Sequence, residues 1–206
     1  IGPKINAAGR MKHGLYAVEL LLESDLQKAI AKAEDINEFN AERRDADQTI
    51  SKEALELIEQ DGEQQDAATV VFQEHWHKGV IGIVASRLID TYYRPTLVFT
   101  KSGEYLAASA RSVTGFDVYN AIDSCSDLLV QFGGHKYAAG LTIKPENFKA
   151  FKAKFNQVVS ETITDIQKIR EVDIDAQLPF ASIDDKFYRI LGRMEPFGPS
   201  NERPIF

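Results

Sequence analysis

The sequence predicts an α/β protein: a mixed sheet flanked by helices, preceded by one long helix and followed by the start of a further small domain. Three observations carry this. From Leu26 to about Gln60 the chain contains no glycine or proline, and apolar residues recur at helical spacing. Between residues 67 and 159, short β-branched runs alternate with amphipathic stretches across short links, the pattern of a sheet layered with helices. From residue 171 the rhythm changes again, and a Pro/Gly/Asn loop over 196–204 follows.

Taken in order, Leu15, Val18, Leu21 and Leu22 have helical spacing, and Ser24 or Asp25 offers the next N-cap. The long stretch then places Leu26, Ile30, Ala33, Ile36 and Phe39 on one face, and later Ile50, Ala54, Leu57 and Ile58. It reads as one helix, or as two with a bend near Arg43 to Asp47, where apolar residues thin out. At 1.5 Å per residue an unbroken helix is about 50 Å long. Such a length suits a bridge between domains, and a helix packed along its own domain is the competing reading. Asp61 and Gly62 end it. Residues 67–72 read as a buried strand and 79–93 as a helix with Ile81, Val84, Leu88 and Ile89 on one side. Strands follow at 96–99 and 105–109, a helix at 117–130, a strand at 138–143 and a helix at 145–159 with Pro145 in its first turn. Residues 171–178 alternate like a strand, and 183–191 read as a short helix.

Composition excludes several classes. With 206 residues, 44% of them hydrophobic, the chain is too apolar to be disordered and can bury a core. No run approaches the ~18 apolar residues of a membrane span. The lone Cys125 excludes an internal disulfide framework and a cysteine metal cluster, and its setting among Ser and Asp marks it as structural. No signal peptide is visible. The chain opens on Ile1, so it is expected to be a segment of a longer soluble, cytoplasmic protein. The net charge of −7 argues at first against nucleic acid, but it is unevenly spread. Residues 19–66 hold fifteen acids against five bases, whereas residues 1–18 and 67–154 each carry +3. A locally basic groove can accept a polyanion whatever the total.

Three phrases are not required by local folding. Around Asn6 and Arg10 small residues permit close backbone approach, and an Arg fork matches phosphate geometry; a glycine-rich connection feeding a helix is the plainer reading. Ser109, Arg111 and Ser112 set hydroxyls beside a guanidinium, and alternation puts Ser109 and Arg111 on one strand face; an exposed strand end is the plainer reading there. Gly133, Gly134 and His135 imply a tight turn with close approach to something, and His135 can donate to a phosphate oxygen. His75 and His77 are two apart with no third ligand near, so they do not make a metal site. Gly79 and the helix start after it could instead hold an anion. Trp76 could stack on a base but more simply packs in the core. These groups converge on phosphate without completing a catalytic site.

Five segments together carry a resemblance: GPKINAAGRM at Gly2–Met11, the long acidic helix, HKGVIGIVASRL at 77–88, SARS at 109–112 and FGGHKYAAGL at 132–141. With EPFGPSN at 195–201, followed by Pro204, they resemble the RecJ family of single-strand-specific 5′-to-3′ DNA exonucleases in the DHH phosphoesterase superfamily. The resemblance spans essentially the whole chain. It implies the end of a DHH domain at 1–22, a connector helix at 23–64, a DHHA1 substrate-binding domain at 65–162 and the beginning of an OB-like domain at 168–206. It implies that Arg10, Ser109 and Arg111 bind the terminal 5′-phosphate or its neighbours, and that Gly133, Gly134 and His135 close over the scissile phosphate. The implied substrate set is Asn6, Arg10, His77, Ser109, Arg111, Ser112, Gly133 and Gly134, with His135 catalytic and no metal ligand. Two Mn²⁺ or Mg²⁺ ions would be held by upstream Asp and His residues, leaving this segment inactive alone. The expected partners are single-stranded DNA with a 5′ end and a helicase or single-strand-binding protein, in DNA repair and recombination; no membrane is expected. Lys4 stands where arginine is common, and Ser200 where glycine is common, an exchange expected to be neutral. The alternatives are an oligoribonuclease or nucleotide phosphatase of the same superfamily, or a noncatalytic nucleic-acid-binding module.

Overall fold

In the computed structural model, which describes residues 1–206, the stretch without glycine or proline is one uninterrupted helix, α3 (Leu26–Gln60). Asp25 starts it, its carboxylate accepting from the backbone N–H of Gln27 (2.9 Å) and Lys28 (3.1 Å), which the first turn would otherwise leave open. No bend interrupts it at Arg43 to Asp47. Apolar residues thin out there because an ion-pair cluster replaces them. Asp47 is wholly buried, and Arg87 Nε (2.7 Å), Arg87 Nη2 (2.9 Å) and Arg43 Nη1 (3.4 Å) surround its carboxylate.

Residues 1–10, read from sequence as a ligand-facing segment or a connection, lie in a helix themselves. It is α1 (Gly2–Met11), with Pro3 in the first turn, where its missing N–H costs nothing. Helix α2 (Leu15–Leu22) follows. Ala8, Ala17 and Ile36 gather α1, α2 and the first half of α3 into one small apolar cluster. The second half of α3 buries Ile50, Ala54 and Ile58 in a different cluster, against the sheet. The helix thus packs against two apolar clusters, both within the one compact unit Ile1–Ile169.

The sheet has five strands in the order β1-β2-β3-β5-β4: β1 (Thr69–Phe72), β2 (Thr96–Ser102), β3 (Tyr105–Arg111), β4 (Leu129–His135) and β5 (Ala138–Ile143). Strands β1 and β2 are parallel across a crossover through α4 (Ile81–Thr91); the other pairs are antiparallel. Strands β2 and β3 run on to Ser102 and Arg111 because a hairpin through Gly103 (φ 64°) lets them pair along their length.

The expected helix at 117–130 is shorter. Helix α5 (Val118–Asp123) ends where the Ser124 hydroxyl donates back to Asn120 O (3.0 Å), and Leu129 onward joins the sheet as β4. Gly133 and Gly134 therefore lie inside an edge strand, not at a turn; the chain reverses at Lys136 and Tyr137. Gly134 has φ 152°, and a Cβ there would stand 2.4 Å from Ala138 O and 2.5 Å from Ala139 Cα.

One face of the sheet (Leu97, Phe99, Ala110, Leu141) packs on α5 and on Phe151, Phe155 and Val159 of α6 (Phe148–Thr162). The other face is covered by α4 and α3 over β1 and β2, through Val71 and Val98, and by α4 over the end of β3, where Gly82 meets Ser109 and Arg111. The link between α3 and β1 is clasped by the nearly buried Arg94, which donates to Thr69 Oγ1 (2.7 Å) and to the carbonyls of Asp66 (2.6 Å), Glu63 (2.9 Å) and Gln64 (3.0 Å).

Cys125 is fully buried in the α6 side of the core, and burial pushes its thiol up from 9.0 to about 11. As pH rises past 9 the unfolded thiol ionises first, so this group contributes stability below pH 9 that is lost toward pH 11. Native protein should resist alkylation by iodoacetamide at neutral pH and react fully once unfolded. Rapid labelling of the native state at Cys125 would count against this packing.

Residues Arg170–Phe206 form a second compact unit. The strand expected at 171–178 lies in no ladder. Only Asp175 is tied to a facing segment: its N–H donates to Ile205 O (2.9 Å), and its Oδ2 accepts from Ile205 N–H (2.9 Å). A strand needs a continuous neighbour, and the facing residues supply two bonds. Helix α7 (Asp185–Gly192) starts at Asp184, whose carboxylate accepts from Phe187 N–H (2.7 Å). In the loop beyond, Gly198 and Asn201 exchange backbone hydrogen bonds (2.8 and 2.9 Å). Ser200 has φ 66°, which glycine adopts freely and serine at about 1 kcal/mol, so the exchange has a backbone cost.

Candidate nucleic-acid interface

Two arginines a hundred residues apart in sequence come together beside the start of α4. On α1, Asn6 and Arg10 are one turn apart on the exposed face, and Arg10 Nη1 donates to Gly79 O (3.2 Å). Gly79 permits this approach: a Cβ there would lie 2.1 Å from Arg10 O. His77 shapes the same turn, with Nδ1 accepting from Gly79 N–H (3.1 Å) and its carbonyl from Val80 N–H (2.9 Å).

The second arginine ends β3. Arg111 and Ser109 share a face, and Arg111 Nη1 donates to Ser109 Oγ (3.1 Å) and Ala110 O (2.8 Å). Both sit over Gly82 of α4, where a Cβ would be 2.9 Å from Ser109 Oγ and 3.0 Å from Arg111 Nη2. Arg111 is half-buried; burial lowers its pKa from the ordinary arginine value, and the like charge of Arg10 lowers it further. The hydrogen-bond partners of both guanidiniums are neutral. Two close cations, one of them half-buried, without an acid are unfavourable alone and are offset by a bound anion, for which Arg forks and a hydroxyl are suited donors.

The sheet register sets His135 on the same face. Arg111 is opposite Ala138, and Ala138 opposite His135, so the two side chains stand two strands apart, about 10 Å. Nδ1 of His135 accepts from Tyr137 N–H (3.3 Å), so in the neutral ring Nε2 carries the proton. The neighbouring row is Ser109, Gly140 and Gly133. Without side chains these glycines floor an open trough of about 340 Å³, flanked by Lys78, Gln131 and Thr142.

The structure therefore brings together Arg10, Ser109 and Arg111, with Gly133 and His135 further along the same face. Asn6 borders Arg10. His77 supports the turn from behind. Ser112 turns away, its hydroxyl donating to Phe116 O (2.8 Å), and Gly134 alternates onto the opposite face beside Ala139. Gly82, Lys78 and Gly140 were not singled out from sequence; a glycine inside an amphipathic helix was the available signal for Gly82.

His75 and Trp76 both bond Glu53 of α3 (2.8 and 2.7 Å), and Glu53 is held below the usual carboxylate range, first by the indole N–H and then by His75. Trp76 is buried. No group of three or more His, Cys, Asp or Glu side chains gathers in the structure.

Gly82→Ala isolates the close approach. Alanine favours the helix by about 0.5–1 kcal/mol, while its methyl displaces Ser109 Oγ and Arg111 Nη2, both movable side-chain ends. Thermal stability should hold or rise, and affinity for a phosphate-bearing ligand should fall about tenfold. Unchanged affinity would show that the pair can adjust freely.

Residues 64–161 match the DHHA1 domain family. Residues 174–206 match the RecJ OB domain. The chain is 35% identical over 206 residues to the single-stranded-DNA-specific exonuclease RecJ of Bacillus subtilis, covering 99% of this chain and 26% of that protein. To RecJ of Escherichia coli it is 31% identical over 214 residues, covering 100% of this chain and 37% of the relative. The crystal structure of RecJ in complex with Mg²⁺ from Thermus thermophilus superposes with a TM-score of 0.86 at 31% identity, over 99% of this chain and 31% of that one. The Mn²⁺ complex from the same organism gives a TM-score of 0.87 at 31% identity, over 99% of this chain and 30% of that one. The chain is similar to these RecJ proteins over essentially all of its own residues and spans between a quarter and two-fifths of their length.

Proposed function

We propose that this chain is the substrate-binding portion of a metal-dependent exonuclease that removes nucleotides from the 5′ end of single-stranded DNA. The carboxylate-free cluster of Arg10, Ser109 and Arg111 carries the reading. A terminal phosphate, with more charge than an internal one, is the ligand such a cluster favours most. From there one strand runs along the glycine-floored face toward His135.

The Thermus relatives were solved with Mg²⁺ and Mn²⁺. Such ions activate water and stabilise a leaving oxygen. The donor set of this chain does not suit them, so we place them on residues outside it. What this chain contributes is phosphate capture by Arg10, Arg111 and Ser109, and an Nε2–H of His135 poised to donate to a phosphoryl oxygen.

The test is a comparison of kcat/KM by the full-length protein on 5′-phosphorylated single-stranded DNA, its 5′-hydroxyl form, a blunt duplex and short RNA. The phosphorylated single strand should be preferred throughout, and this chain alone should hydrolyse none of them. Faster cleavage of short RNA would replace the proposal with an oligoribonuclease. Hydrolysis by this chain alone would overturn the placement of the metals.

A further inference from the structure

Beside the double-arginine cluster lies a smaller hollow of about 190 Å³, lined by Pro3, Asn6, Ala7, Arg10, Arg43 and Ile83. It has room for a phosphate group but not for a whole nucleotide. Arg43 comes from the middle of α3, and its side chain is only 16% exposed. Its nearest acid is Asp47, but that carboxylate is already engaged by Arg87 at 2.7 and 2.9 Å, whereas Arg43 Nη1 reaches Oδ2 only at 3.4 Å. One buried carboxylate facing two guanidiniums leaves a net positive charge. Of the five N–H donors of Arg43, Nη1 meets Asp47 and Nη2 meets Asn40 Oδ1 (3.2 Å). The remaining donors are uncommitted, at the border of a hollow that also holds Arg10 and an exposed amide, Asn6.

We propose that Arg43, oriented by Asp47 and Asn40, forms with Asn6 and Arg10 a second phosphate subsite that takes an internal phosphodiester of the same strand. This deepens the 5′-exonuclease reading and depends on it. Arg10 would be shared between the terminal and internal phosphates. Asp47 acts as a positioning residue: it is buried, touches no hollow, and fixes the guanidinium from behind. The subsite also gives the long helix a part in substrate binding, since Arg43 stands between its two packed ends.

The experiment measures binding of 3′-labelled, 5′-phosphorylated oligonucleotides to the full-length protein without divalent metal, so that nothing is cleaved. Each linkage near the 5′ end is replaced in turn by a neutral methylphosphonate. Wild-type protein should lose about tenfold in affinity at one linkage. Arg43→Gln should bind the native strand about tenfold more weakly and show no further loss at that linkage. Arg43→Lys, which keeps the charge, should recover most of the affinity and the linkage sensitivity, which a folding defect in the Gln variant would not explain. If both variants remain as sensitive as wild type at every linkage, Arg43 touches no phosphate and the subsite is wrong. Failure of the underlying reading is distinguishable: Arg111→Ala would then leave the preference for a 5′-phosphate over a 5′-hydroxyl intact.

Discussion

Replacing Gly79 by alanine should lower stability by about 3 kcal/mol and abolish discrimination for a 5′-phosphate. The added Cβ would stand 2.1 Å from Arg10 O and 2.9 Å from its carbonyl carbon. Both are backbone atoms, so neither can rotate aside, and α1 or the entry to α4 must retreat. Helix α1 has little slack, because Ala7 and Ala8 are fully buried and Ala8 meets Ala17 and Ile36. The entry to α4 has little either, since Trp76 and Val80 on either side are in the core. Retreat also breaks the 3.2 Å bond from Arg10 to Gly79 O, which aims the guanidinium toward Arg111. Thermal unfolding and the ratio of kcat/KM on 5′-phosphorylated and 5′-hydroxyl strands should therefore both fall in the full-length protein. An alanine variant with unchanged melting and unchanged discrimination would show that α1 slides without consequence. Gly82→Ala is the contrasting case, where the colliding atoms are side-chain ends and only binding should suffer.

How much of this was legible in the sequence differs by element. The long helix was, because absence of glycine and proline over so long a stretch leaves no alternative, although the sequence could not decide whether it bends. The ion-pair cluster of Asp47, Arg43 and Arg87 is the reason: a helix turn that looks weak by apolar periodicity is held by a partner forty residues away. Leu129 and Val130 continue the helical spacing of α5, so only pairing with β5 reveals them as a strand. The same pairing converts the expected turn at Gly133 and Gly134 into an edge strand, which moves Gly134 off the site face. The phosphate candidates Arg10, Ser109 and Arg111 were each visible as polar groups among small residues. Alternation already set Ser109 and Arg111 on one strand face; the arrival of Arg10 beside them was not legible, because it is created by Gly79 and Gly82, where no side chain intervenes.

Arg111→Ala should cost about a hundredfold in kcat/KM on 5′-phosphorylated single strands and much less on 5′-hydroxyl strands. A bidentate charge-assisted contact contributes about 3 kcal/mol, and each 1.4 kcal/mol is about tenfold. The discrimination between the two substrates should therefore collapse toward one. Stability should not follow. Burial and the charge of Arg10 both disfavour the ionised guanidinium of Arg111 in the folded state, and its bonds to Ser109 and Ala110 O offset that only in part. The folded protein thus holds an unfavourable cation that only an anion relieves, as sites kept for binding tend to do. Arg111→Lys should fall between the two, since it retains charge but loses the fork. Because Arg10 and Arg111 would grip one phosphate, the double alanine variant should lose less than the product of the single losses. Additive losses would mean that the two arginines hold separate groups, and a large drop in melting temperature for Arg111→Ala would make its role structural.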